Sequence, residues 1–194
     1  GLGDAIVTDT RFGPDGVSIK VDTVYAKNTL RTEWIAPKDQ EQLHHAIEAG
    51  FMAGRLYPNS KTCSEQRLRD RTLLNQLRGL TDPVPSLQEW VRMRIRSLGI
   101  EDLEDIALLS PQDFVVTDIP TRDREFLDKR YPRQLKIGSS TYRCTYDARK
   151  KEAVFEKLEG PTSERISLQY FPTLKGWRLI LKEKTKHKVL REKR

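Results

Sequence analysis

The residues best equipped for chemistry lie in one short stretch, where Glu41 and His44 stand three apart with His45 and Glu48 beside them. A Glu-x-x-His helix is half of a carboxylate-bridged di-iron site, but that site needs a second copy and two further glutamates facing it. The remaining histidine, His187, lies far away in sequence. The same residues read more simply as a solvated helix face, with His44 and Glu48 as an i,i+4 pair. The two cysteines, Cys63 and Cys144, match no metal-ligand spacing. Cys63 falls near a helix start, where a thiol pKa can drop, yet no histidine neighbours it. It reads as a structural or merely exposed thiol. Cys144 sits inside an alternating stretch and reads as a small core residue.

Other catalytic patterns are missing from the chain. It contains no Gly-x-x-x-x-Gly-Lys-[Ser/Thr] loop to cradle phosphates and no Gly-x-Gly-x-x-Gly after a strand. A Gly-x-Ser-x-Gly elbow and a His-Glu-x-x-His helix are absent as well. The expectation is a chain without catalytic residues, bound metal or cofactor of its own.

What the sequence does carry is positive charge, unevenly spread. Of 35 Lys+Arg and 28 Asp+Glu, residues 132–194 hold 17 against 7, a net +10, while the first 131 hold 18 against 21, a net −3. Such asymmetry points to a polyanionic partner for the last third, most simply nucleic acid. A basic face that only keeps the protein solvated is the plainer alternative. Cations and aromatics interleave there: Arg143 between Tyr142 and Tyr146, Tyr170 and Phe171 before Lys175, and Arg178 beside Trp177. Cations bind phosphate without regard to sequence and exposed rings stack on bases. Arg143, Lys150, Lys175, Arg178, Lys184 and Lys186 are the expected phosphate contacts. In a strand Trp177 shares a face with Leu179, so it serves equally as core or as platform.

At 194 residues, 37% hydrophobic and 32% charged, the chain can build one large domain or two small ones. No apolar run approaches the roughly 18 residues needed to span a bilayer, and no signal peptide opens the chain. Without a leading methionine it reads as a piece of a longer protein. Two distant cysteines suit a reducing, cytoplasmic setting.

The elements that must position these groups follow from periodicity. Residues 5–11 and 30–35 read as strands, and Val17, Ile19, Val21, Thr23 and Tyr25 alternate with Ser18, Lys20 and Asp22 on a third. Pro37 ends this small sheet. Asp39 caps a helix to about Ala53. Thr62-x-x-Glu65 and Ser86-x-x-Glu89 read as capping boxes opening helices that stop at Gly79 and Gly99. A short helix is expected over 102–109, Ser110-Pro111 starts another turn, and a last helix runs from Thr121 to about Lys129. Strands return at 135–137, 142–146, 153–158, 166–168, 176–181 and 187–190. The fold class expected is α+β in three parts: a small antiparallel sheet plus helix over 1–60, a helical domain over 61–131, and a basic, OB-like β-barrel over 132–194.

This order of parts resembles the C-terminal region of HrpB-like DExH-box ATP-dependent helicases. The resemblance spans residues 65–182 in order, after a Trp-bearing strand at Arg31-Thr32-Glu33-Trp34-Ile35. It is carried by Ile119-Pro120 through Leu127-Asp128 to Tyr131-Pro132, and by Gly138-Ser139 through Tyr146-Asp147. The family's proline-rich, Trp-containing end has no counterpart after Arg194. The resemblance implies two RecA-like ATPase domains upstream holding ATP and Mg, and an OB-like domain here that contacts single-stranded RNA. The expectation is a non-catalytic accessory region binding single-stranded RNA or DNA, its parent an NTP-hydrolysing helicase. Three rivals stand beside it: a stand-alone RNA- or ribosome-associated adaptor, an interaction module that docks a protein partner on residues 39–109, and a hydrolase, which would need acidic residues or histidines clustered in a pocket and which the sequence gives no reason to expect.

Overall fold

The alternation over residues 17–25 builds strand β2 (Gly16–Tyr25), flanked by β1 (Asp4–Gly13) and β3 (Asn28–Ile35) in an antiparallel sheet of order β1-β2-β3. The computed structural model describes residues 4–13, 16–25, 27–161, 167–183 and 186–191. It has a mixed α+β architecture whose contacts separate into two compact units. Unit 1 comprises Gly1–Leu68 and Pro85–Thr117, and unit 2 comprises Arg69–Val84 and Asp118–Arg194. Residues 61–131, expected as one helical domain, are thus shared between the two. Among the described residues no helix is long and apolar enough to cross a membrane.

In unit 1, Val17, Ile19 and Val21 point to one face and are buried against helix α1 (Gln40–Met52), which contributes Leu43, Ala46, Ile47 and Phe51. Asp39 caps α1 by accepting from the Gln42 amide at 2.8 Å. Gly50 does more than end this helix. A Cβ there would fall 2.0 Å from a ring carbon of Phe12, so the missing side chain lets an aromatic of the sheet rest on the helix backbone. Helix α3 (Leu87–Ser97) opens on the Ser86–Glu89 capping box and buries Val91 and Ile95 in the same core.

Helix α2 (Pro58–Leu77) starts four residues before the Thr62 box. Proline at its first position supplies a preset φ and no amide to satisfy, and the Thr62 hydroxyl instead donates back to the Pro58 carbonyl at 3.1 Å. The N-terminal half of α2 is strongly polar because it serves an irregular neighbour. Tyr57, Ser60 and Arg67 donate to the carbonyls of Leu109, Pro111 and Val116 at 2.7–2.8 Å. The Ser64 hydroxyl donates to Phe114 O and accepts from Val116 N–H. Buried backbone without a helix or ladder needs such partners. The helix expected over 102–109 shortens to a 3₁₀ turn, Asp105–Leu108, because the Asp105 carboxylate accepts from the amides of Glu101 and Asp102 and ties the chain into a local loop.

Unit 2 holds a five-stranded sheet of order β4-β5-β6-β7-β8: β4 (Gln134–Ile137), β5 (Ser140–Asp147), β6 (Glu152–Glu159), β7 (Arg178–Glu183) and β8 (Lys186–Arg191). Neighbours are antiparallel except β6 and β7, which run parallel. The sheet is open. Among the described residues β4 and β8 are its edges, where a closed barrel was expected. A parallel pair cannot be joined by a hairpin. The crossover between β6 and β7 brings Phe171, Leu174 and Trp177 onto the sheet, and Leu127 of helix α4 (Thr121–Arg130) and Leu73 and Leu74 of α2 join them. The apolar face is buried without the sheet curling onto itself. Of the strand expected over 166–168, Ile166 lies outside the described residues and Leu168–Tyr170 forms a 3₁₀ turn. Gly160, at φ +112°, lies against β5, where a Cβ would come within 2.7 Å of Ser140 Cα. That approach leaves room for glycine alone.

Two outcomes test this packing. Asp70, 7% exposed, is the shared acceptor of Arg124 and Arg133. Asp70→Ala should therefore lower unfolding free energy in urea by about 2–3 kcal/mol, less than a fully buried pair would lose because the Arg133 side chain keeps 32% of its exposure. In unit 1, burial alone would raise the Glu48 pKa, but Arg92 and Gln88 outweigh it and hold the carboxyl below its ordinary 4.5. A depressed carboxylate stabilises the fold above its unfolded pKa, and that contribution is lost as pH falls through the folded one. Glu48→Gln should flatten part of the fall in melting temperature that acidification below pH 4.5 produces.

Candidate nucleic-acid interface

Alternation gives the large sheet two distinct faces. Tyr142, Ala153, Phe155, Leu179 and Leu181 are buried on the inner one. The outer one carries Arg143, Thr145, Val154, Glu156, Arg178, Ile180 and Lys182. Register then sets the charges against one another. Arg143 lies opposite Glu156, and Glu156 opposite Lys182, so one carboxylate serves two cations at 3.7 and 3.2 Å. Arg178 faces Glu152 and meets it at 3.6 Å. Lys150 reaches Asp147 at 3.7 Å in the turn after β5.

Three of the six expected phosphate contacts, Arg143, Lys150 and Arg178, therefore carry carboxylate partners. Two of the pairs are open to water, since the Arg143 and Lys150 side chains retain 54% and 75% of their exposure, while Arg178 is half-buried. Ion pairs of that kind contribute about 0–1 kcal/mol. Lys175 is exposed in the loop before β7. Lys186 begins β8, while its side chain and the whole of Lys184 lie outside the described residues.

Most of the interleaved aromatics turn inward. Trp177 is 7% exposed and packs at 5.6 Å from Tyr131 and 6.4 Å from Tyr146. Phe171 packs at 5.8 Å from the fully buried Tyr142. Trp177 is core, and of the rings named in the sequence only Tyr170 stays well exposed. Sequence reasoning passed over another set of cations in unit 2. Arg122, Lys129 and Arg130 on α4, Lys136 on β4, and Arg149 and Lys151 in the β5–β6 turn are all exposed, and none forms an ion pair with a described residue. Their signal was present: Arg122, Phe126 and Arg130 stand four apart along a helix, on one face.

The groups around Glu41 and His44 line an open cleft of about 900 Å³ in unit 1, with Arg92 and Arg96. Two of them are engaged elsewhere. His44 Nε2 donates to the Ile100 carbonyl at 2.7 Å, and Glu48 accepts from Gln88 and Arg92 at 2.6 and 2.8 Å. Among the described residues no three His, Cys, Asp or Glu side chains converge to hold a metal. Burial pushes the Cys144 thiol up to about 11, so thiolate is scarce there at neutral pH. Iodoacetamide at about pH 8 should alkylate Cys144 in the native protein at least tenfold more slowly than in urea, as read by peptide mass spectrometry.

No protein-family model, curated protein or solved structure matches this chain.

Proposed function

We propose that this chain is a non-catalytic accessory region of an ATP-dependent helicase of the DExH-box, HrpB-like type, in which unit 2 grips single-stranded RNA or DNA. The observation that carries the reading is the division of charge between the units. Unit 2 holds 24 Lys+Arg against 13 Asp+Glu, a net +11, and unit 1 holds 11 against 15, a net −4. A field of that size on one unit draws a polyanion and concentrates it there. On the outer face of the sheet, phosphate replaces carboxylate as the partner of Arg143 at small cost, because so exposed a pair contributes little. The open sheet serves on this reading as an OB-like platform, with the strand laid across its polar face. ATP and Mg belong to domains upstream in the parent protein, in a cytoplasmic setting.

A second reading has its own observation. Unit 1 exposes Met93 at 53% and Leu108 at 80% within residues 39–109, which suits docking of a protein partner. The two readings concern different units and are compatible.

Salt dependence tests the first. Each phosphate neutralised on a single strand contributes about −0.7 to the slope of log K against log salt concentration. Roughly four contacts give a slope near −3, so affinity should fall about fiftyfold for a fourfold rise in salt. Lys175→Ala should make that slope shallower by about 0.7 and weaken all sequences alike. Arg94, paired with Asp113 in unit 1, should be replaceable without effect. Failure to bind single strands at low salt would end the reading and leave partner docking in its place.

A further inference from the structure

We infer that the exposed face of α4 is a base-stacking site within the strand-binding surface, with Phe126 as platform and Arg122, Lys129 and Arg130 as its phosphate contacts. The inference rests on the nucleic-acid reading of unit 2. Stacking needs an exposed ring, and the core of unit 2 consumes most of its aromatics. Among its described residues, Phe126 at 43% and Tyr170 at 59% are the rings left open to solvent. Of the two, Phe126 stands among cations. Arg122 and Arg130 lie one turn to either side on its own face, and Lys129 lies three residues on.

These cations are also unpaired among the described residues. Three other charges of α4 hold it in place: Asp123 pairs with Arg78, and Asp128 with Arg124, which also bonds Asp70. Arg122, Lys129 and Arg130 form no ion pair with a described residue. The acidic neighbours are Glu125, exposed at the border of the same face, and Asp123 and Asp128, which pair with Arg78 and Arg124. Helix stability explains part of the pattern, because Lys129 and Arg130 in the last turn suit the negative end of the helix dipole. It does not explain Arg122. A cation in the first turn faces the positive end, where it is mildly unfavourable, so its place there is better explained by a ligand.

The platform is also held firmly. The Phe126 ring lies 6.0 Å from Tyr131, which packs edge-on at 5.3 Å against Tyr146 and at 5.6 Å against the buried Trp177. One side of Phe126 thus belongs to an aromatic chain rooted in the core while the other meets water. A ring fixed before binding loses little entropy when a base stacks on it.

Fluorescence anisotropy with two labelled ligands tests the inference: oligouridylate of about twelve nucleotides, and an abasic strand of the same length and charge. Phe126→Ala should weaken oligouridylate about tenfold and leave the abasic strand unchanged, and Phe126→Trp should restore binding. Arg122→Ala with Arg130→Ala should weaken both ligands and make the salt slope shallower by about 1.4. If the wild-type chain binds strands and these variants bind as well as it does, the α4 site is wrong while the nucleic-acid reading survives. Equal weakening of both ligands by Phe126→Ala would remove stacking from the ring, and equal affinity for polyglutamate would make the face a general anion surface. Either overturns the site. Binding of neither strand by the wild-type chain overturns the site and the nucleic-acid reading together. Circular dichroism melts identify a variant that has lost its fold, and the tryptophan variant then carries the test.

Discussion

Asp70 sits where three elements of unit 2 converge, and their arrangement depends on its carboxylate. Arg124 donates to it from α4, and Arg133 donates from the approach to β4 through both Nε and Nη2. Two guanidinium groups on one carboxylate bring desolvated charge together, which is tolerable only where each guanidinium finds further acceptors. Arg124 finds one in Asp128. With α2, α4 and the start of β4 joined this way, Leu127 reaches the core without exposure, and Tyr131 reaches Tyr146 and Trp177. The burial that stabilises unit 2 is therefore set by a polar junction at its margin.

That junction also decides which cations can serve a ligand. Of the arginines around α4, Arg124 and Arg133 are bound to Asp70 in partly buried geometry, and removing either would disturb a desolvated pair, while Arg78 meets Asp123 from an exposed position. The outer sheet works differently. Its Arg143–Glu156–Lys182 pairs form across β5, β6 and β7 with more exposure, where exchange of partners is nearly free. A count of basic residues treats all of these alike. Sorted by partner and exposure, they divide into structural arginines, exchangeable arginines and lysines, and the unpaired set on α4, β4 and the β5–β6 turn.

What the sequence disclosed follows the range of the interactions involved. The alternation of Val17, Ile19 and Val21 and the Ser86–Glu89 box were legible because their determinants lie within a few residues. The β strands of residues 134–159 were legible for the same reason. The start of α2 was misplaced because Thr62-x-x-Glu65 has the form of a cap while Pro58 has the stronger claim. The closed barrel failed on pairing. Nothing local to Ala153 or Leu179 says that β6 and β7 run parallel, since that depends on how the crossover residues pack. Ion pairing of the candidate contacts was hidden for the same reason. Arg143 and Glu156 are opposite only once the register exists.

Charge and aromatic content together say how unit 2 could hold a strand. Its rings form a continuous interior, from Tyr131 through Tyr146 and Phe155 to Phe171 and Tyr142. The outer face of the sheet is left with threonine, aliphatic and charged side chains, which contact a backbone but offer no ring to a base. Bases held there would be held by their phosphates alone, with affinity that follows salt and ignores sequence. Any stacking must come from the rim, where α4 leaves Phe126 exposed between two unpaired arginines. A surface divided in this way suits a protein that must keep hold of a strand while the strand moves. On the proposed reading, exchangeable phosphate contacts would let a strand slide, and stacking on Phe126 would interrupt the sliding.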